Sequence, residues 1–150
     1  MEALEIKANI QIARSQRWVF DAITEPEKMS SYFISHASGR MEEGQTVLST
    51  FSEAPESFPV RILKVKPPKN VIFEWDGAEG YKTTVEIVLE KISDNQILVK
   101  LTEGKIEANE AGIKWYGENS GGWMNFLDCL KAYTEYGINL RKGAFDFMKK

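Results

Sequence analysis

His36 is the only histidine of this chain and Cys129 its only cysteine. A Ser-His-Asp triad or a Cys-His dyad would have to be built around them. Neither has a visible partner in sequence. Cys129 reads as a small packing residue at the flank of an apolar helical stripe, and His36 as a surface histidine. The carboxylates form no recognisable acid/base pair. Glu74 lies between Phe73 and Trp75 and so points away from their face. Glu86 and Glu90 share the polar side of a strand. Glu103 continues the parity of Val99 and Leu101, which makes it the best inward-pointing acid, able to serve as a general acid or polar anchor if buried. The preferred expectation places it past the sheet edge, in water. Gly121-Gly122 lacks the companion spacing of a phosphate-binding loop. No His/Asp/Glu cluster suggests a metal, no cofactor is expected, and one cysteine excludes both an intrachain disulfide and a cysteine-based zinc site.

The aromatic residues carry more information. Phe51, Phe73 and Trp75 fall on strands; Trp123, Phe126, Leu127 and Leu130 fall on one helical stripe with Thr134. A wall of this kind suits an apolar ligand with a few polar anchors. Tyr32, Phe33, His36 and Trp115 are expected at its entrance. The competing expectation is that these side chains close a core on themselves.

The elements that must position them follow from periodicity. Leu4, Ile6, Ala8, Ile10 and Ile12 alternate with polar residues, giving a half-buried first strand. Ser15 caps a short helix over 16–23. Thr24-Glu25-Pro26-Glu27 has a capping-box pattern and starts a second helix reaching about residue 33. Strands are expected over 37–41, 46–51, 59–65, 71–75, 83–92 and 96–103. Short connections at Glu43-Gly44, Pro67-Pro68, Asp76-Gly77 and Asp94-Asn95 make neighbours antiparallel. Val60 to Val65 does not alternate cleanly, which admits a bulge. Residues 104–119 read as a loop, with Asn119 or Ser120 capping a long helix that runs to Gly137, a stop or kink. The tail after Gly137 either extends the helix or folds back.

With 150 residues, 43% of them hydrophobic and 27% charged, the chain is one soluble domain over 1–150. A net charge of −3 argues against a nucleic-acid footprint. Lys64, Lys66 and Lys69 form a solvated hairpin end. No signal peptide or membrane span is visible, so a cytoplasmic address is the default.

Two segments, Ala13 to Met29 with its Thr-Glu-Pro-Glu turn and Gly122-Trp123-Met124-Asn125-Phe126-Leu127-Asp128-Cys129-Leu130-Lys131, resemble the START-like, or Bet v 1-like, superfamily. With the Pro67-Pro68 hairpin and Val71 to Trp75, the likeness narrows to the branch named for the activator of Hsp90 ATPase. The resemblance implies an α+β helix-grip fold: a curved antiparallel sheet of about seven strands wrapped on a long C-terminal helix, with two short helices after the first strand. It also implies a cavity between sheet and helix. Members bind lipids, hormones, polyketides or other apolar ligands, a few act as cyclases or hydrolases, and the eukaryotic namesake binds a chaperone. The first expectation is therefore a non-enzymatic protein holding a hydrophobic small molecule or lipid. The alternative is a protein-interaction module with a protein partner. A catalytic role ranks last, since no catalytic constellation is visible.

Overall fold

The computed structural model describes residues 2–78 and 80–149. Strand β1 (Ala3–Ile12) leads to helices α1 (Gln16–Thr24) and α2 (Pro26–Met29). Strands β2 (His36–Ala37), β3 (Thr46–Thr50), β4 (Phe58–Lys66), β5 (Asn70–Ala78), β6 (Tyr81–Ser93) and β7 (Gln96–Glu107) follow. The chain then forms helix α3 (Glu110–Tyr136) and ends in a 3-10 turn (Asp146–Met148). The seven strands make one curved antiparallel sheet in the order β1-β7-β6-β5-β4-β3-β2. This is the helix-grip architecture. Among the described residues no helix is long and apolar enough to cross a membrane.

The alternation legible in sequence sets the inner face. Ile6 and Ile12, Val85, Ile87 and Leu89, and Ile97, Val99 and Leu101 are buried. In β4 the register slips between Ile62 and Lys64, so the odd residue, Leu63, turns outward. That bulge is why no single alternation runs from Val60 to Val65. Ser15 caps α1 by accepting from the Trp18 N–H at 3.2 Å.

Three expectations are overturned. First, 104–119 is not a loop: β7 continues to Glu107, and Asn109, not Asn119 or Ser120, caps α3 by accepting from the Gly112 N–H at 2.8 Å. Gly112, Gly117, Gly121 and Gly122 each weaken helix propensity by about 1 kcal/mol. Tertiary bonds from Trp115 and Asn119 hold this half of the helix in place (below). Second, α2 ends at Met29, and its N-cap Glu25 makes no side-chain cap bond, so the capping box does not form. The Thr24 hydroxyl bonds back to Phe20 O at 3.0 Å instead. Third, of the strand expected over 37–41 only Ala37 is in β2, which starts at His36, and Met41 N–H bonds to Thr24 O away from the sheet.

Helix α3 packs the expected stripe of Trp123, Phe126, Leu127, Leu130 and Thr134 into the interior. Each large apolar side chain so buried contributes roughly 1.5–3 kcal/mol. Gly137, at φ +67°, stops the helix and the tail folds back.

Candidate functional site

Between α3 and the strands β3 to β5 the fold leaves a cavity of about 420 Å³. Six aromatic side chains on its wall form a closed circuit. Phe33 meets Phe51 edge-on at 5.3 Å, Phe51 stacks on Phe58 at 5.1 Å, and Phe58 leans on Trp75 at 5.8 Å. Trp75 meets Trp123, Trp123 meets Phe126 (both 5.8 Å), and Phe126 returns to Phe33 at 4.9 Å. Aromatic pairs at these separations stabilise one another beyond the area they bury. The circuit is a rigid, mostly apolar frame around an open interior.

Behind two members of that frame lies Glu103, fully buried. Its Oε1 accepts from Trp123 Nε1 at 2.7 Å and Asn119 Nδ2 at 3.2 Å. Its Oε2 accepts from Trp75 Nε1 at 2.6 Å and the Thr83 hydroxyl at 2.5 Å. Four neutral donors thus replace the water a carboxylate loses on burial. The register of β5 and β6 shifts between Trp75 and Ala78, which brings Gly77 into the cluster. Gly77 O accepts from Trp115 Nε1 at 3.1 Å and Asn119 Nδ2 at 3.2 Å. A Cβ on Gly77 would collide with Thr83 Oγ1 and Glu103 Oε2. Glu103 is therefore not past the sheet edge in water, as expected, but the anchor for two wall indoles. With both oxygens committed and no place on the cavity lining, it is set as a scaffold rather than as an acid presented to an occupant.

The folded-back tail covers part of the opposite side of the cavity. Arg141, Phe145 and Met148 line it. Arg141 makes a bidentate pair with Glu53, Nη1 to Oε1 at 3.0 Å and Nη2 to Oε2 at 2.8 Å. Both side chains are only 9% exposed. The guanidinium lies over the rings of Phe33, Phe51 and Phe145 at 5.0, 4.6 and 4.5 Å. Hydrogen bonding from Arg141 holds the Glu53 carboxyl below its ordinary pKa, against the opposing effect of burial.

Of the residues expected as walls and entrance, Phe33, Phe51, Phe73, Trp75, Trp123 and Phe126 line the cavity. The others are elsewhere. Leu127 and Leu130 are fully buried in the core beside it, because their positions on the helix turn past the opening. Trp115 is buried and spent on Gly77 O. Tyr32 is inside, not at an entrance: its hydroxyl bonds Ala22 O at 3.0 Å, its ring stacks on Tyr133 at 5.0 Å, and burial raises its pKa well above the usual value. His36 is exposed on β2, in a separate polar depression with Ser38 and Arg40. Cys129 is buried, its nearest polar partner Asn125 Oδ1 at 3.9 Å, and burial pushes its thiol pKa up. It does not meet His36. Sequence reading missed Phe58, although it shares parity with Val60 and Ile62. It also missed Glu53 and Arg141, which lie 88 residues apart and carry no local signal.

Residues 13–135 match the family model described as Activator of Hsp90 ATPase homolog 1-like protein. No curated protein matches the sequence. The fold is similar to the crystal structure of a Staphylococcus saprophyticus protein, with 27% identity, a TM-score of 0.80, and coverage of 92% of this chain and 96% of that one. It is similar to the Aha1 dimer of Colwellia psychrerythraea at 22% identity and TM-score 0.75, covering 89% and 98% of the two chains. An HSP90 activator from Plasmodium falciparum is similar at 19% identity and TM-score 0.69, with 89% and 96% covered.

Proposed function

Because this chain belongs to the Activator of Hsp90 ATPase homolog 1-like family and its helix-grip fold holds an aromatic-walled, partly open cavity, we propose that it binds a hydrophobic small molecule or lipid there. The observation that carries this reading is the cavity itself. At about 420 Å³ it falls within the size range of small-molecule sites, and its lining combines apolar walls with a few polar groups. A core meant only to be solid would be packed to crystal density. The circuit from Phe33 to Phe126 keeps the space open because each ring is held by its neighbours, and Glu103 fixes the two indoles.

The test is a native mass spectrum of the purified protein, followed by titration with a fluorescent fatty acid. Retained mass, or saturable quenching of Trp75 and Trp123 emission, supports the reading. An empty spectrum together with no response to the probe removes it.

A second reading, a protein-interaction module, draws on the likeness to the Plasmodium falciparum HSP90 activator and on Trp18. That indole is 47% exposed, with Arg14 5.0 Å and Lys28 5.5 Å from its ring. An aromatic flanked by cations is a common protein-binding feature. Trp18→Ala separates the two readings: it should leave probe binding intact, and would abolish partner capture if the surface is the working part.

A further inference from the structure

Within the ligand-binding reading, the structure also bears on what the ligand carries. Arg141 is the one cation on the cavity lining among the described residues, against two carboxylates, Glu53 and Glu118. A guanidinium offers five N–H donors in a fixed planar fork. Glu53 occupies the Nη1/Nη2 edge with both of its oxygens. Three N–H donors remain, and of these Nε is buried with no hydrogen-bond partner. Buried donors are seldom left unpaired, and this one belongs to a side chain of the cavity lining, covered by the Phe145 ring, so an occupant that displaces that ring and brings an acceptor would satisfy it.

We propose that Arg141 Nε is the polar anchor of the cavity and that its ligand is an apolar molecule bearing a neutral oxygen acceptor, such as a ketone, ester or amide carbonyl. The wall chemistry selects among head groups. Glu53 already balances the Arg141 charge, so an ionised acid would bring an unpaired negative charge into a mostly apolar cavity. An amine would bring a donor to a donor. A carbonyl supplies the acceptor and leaves the charge balance unchanged. Phe145, which shields the guanidinium, sits on a segment able to yield. Among the described residues, the backbone N–H bonds of 139–149 to backbone acceptors all stay within that segment. The family match ends at residue 135, so Arg141 and Phe145 belong to a part of the site outside it.

The experiment compares 2-undecanone, undecanoic acid and undecylamine by calorimetric titration at neutral pH, on the wild type, Arg141→Lys and Glu53→Gln. Arg141→Lys keeps a cation for Glu53 and removes the Nε edge; thermal unfolding confirms that the variant is folded. The ketone should bind the wild type about tenfold tighter than either ionic probe, the worth of one hydrogen bond to a charged donor. Ketone affinity should fall about tenfold in Arg141→Lys and hold in Glu53→Gln, where the acid should gain because Arg141 has lost its counter-charge. Equal binding of all three probes, unchanged in Arg141→Lys, would overturn the anchor and leave the cavity reading standing. Tightest binding of the acid or the amine would overturn the neutral acceptor. If no probe binds the wild type, the anchor falls together with the cavity reading.

Discussion

Trp123 Nε1 lies 2.7 Å from Glu103 Oε1, so the middle of α3 is tied to the inner face of β7 by an indole whose ring also forms the cavity wall. Support for the fold and shape of the site thus converge on one carboxylate.

Glu103→Gln should be costly despite its near-identical shape. The amide nitrogen cannot accept, so it would face two donors at Oε1 or two at Oε2. Leaving one or two buried donors unpaired costs roughly 2–4 kcal/mol. Urea unfolding of the variant should show that loss, with the fluorescence of Trp75 and Trp123 altered in the native baseline. A loss below about 0.5 kcal/mol, the range of ordinary surface changes, would mean that the cluster does not form in solution.

Gly77→Ala places a methyl group on Thr83 Oγ1 and Glu103 Oε2 and 2.9 Å from Trp75 Nε1. Overpacking of this kind costs roughly 1–3 kcal/mol. Because Gly77 O also holds Trp115 and Asn119, hydrogen exchange should quicken in the first turns of α3 ahead of the rest of the helix. Uniform exchange along α3 would show that the anchor at Gly77 is dispensable.

Gly122→Leu is expected to separate binding from stability. Gly122 lines the cavity, and a Cβ there meets nothing within 4 Å. Replacing a helical glycine should stabilise α3 by roughly 0.5–1 kcal/mol, while the side chain narrows the opening and weakens probe binding. Leu130→Trp would do the reverse, since Leu130 is in the closed core and the larger ring would overpack it. A melting temperature that rises in Gly122→Leu with unchanged binding would argue against this cavity as the site.

The Glu53–Arg141 pair should make the tail sensitive to acid. The Glu53 carboxyl is depressed below its ordinary 4.5. Its contribution to tail docking is therefore complete above that ordinary value and lost as pH falls through the lower folded value. Ring-proton NMR shifts of Phe145 should move across that acidic window, and Glu53→Gln should remove the transition. A transition of unchanged midpoint in Glu53→Gln would assign it to another group.

Cys129 should react slowly. Burial raises its thiol above the ordinary 9.0, so little thiolate is present at pH 8 and little of the side chain is reachable. Alkylation by iodoacetamide should be slow in the native state and rapid in denaturant. Rapid native labelling would mean that the helix flank opens.

Sequence alone determined the frame. Ile6, Val85, Ile87, Val99 and Leu101 could be assigned inward, and the stripe from Trp123 to Thr134 could be assigned to the core. Period-two and period-3.6 burial leave their mark on neighbouring residues. The break at Leu63 was also visible as lost alternation. Tertiary structure decided the rest. Glu103 looked solvent-bound because its donors come from Trp75, Thr83, Asn119 and Trp123, and no local pattern announces partners 16 to 28 residues away. The first turns of α3 were lost among glycines, because what holds them is a carbonyl on β5 rather than an apolar period. Leu130 lies in the core beside the cavity and Phe58 on its wall, a placement set by how helix and strands pack, which a helical wheel does not contain. The polar side of the site, Glu53 with Arg141, arises only when the tail turns back at Gly137, since a charge pair 88 residues apart in sequence is created by chain reversal alone.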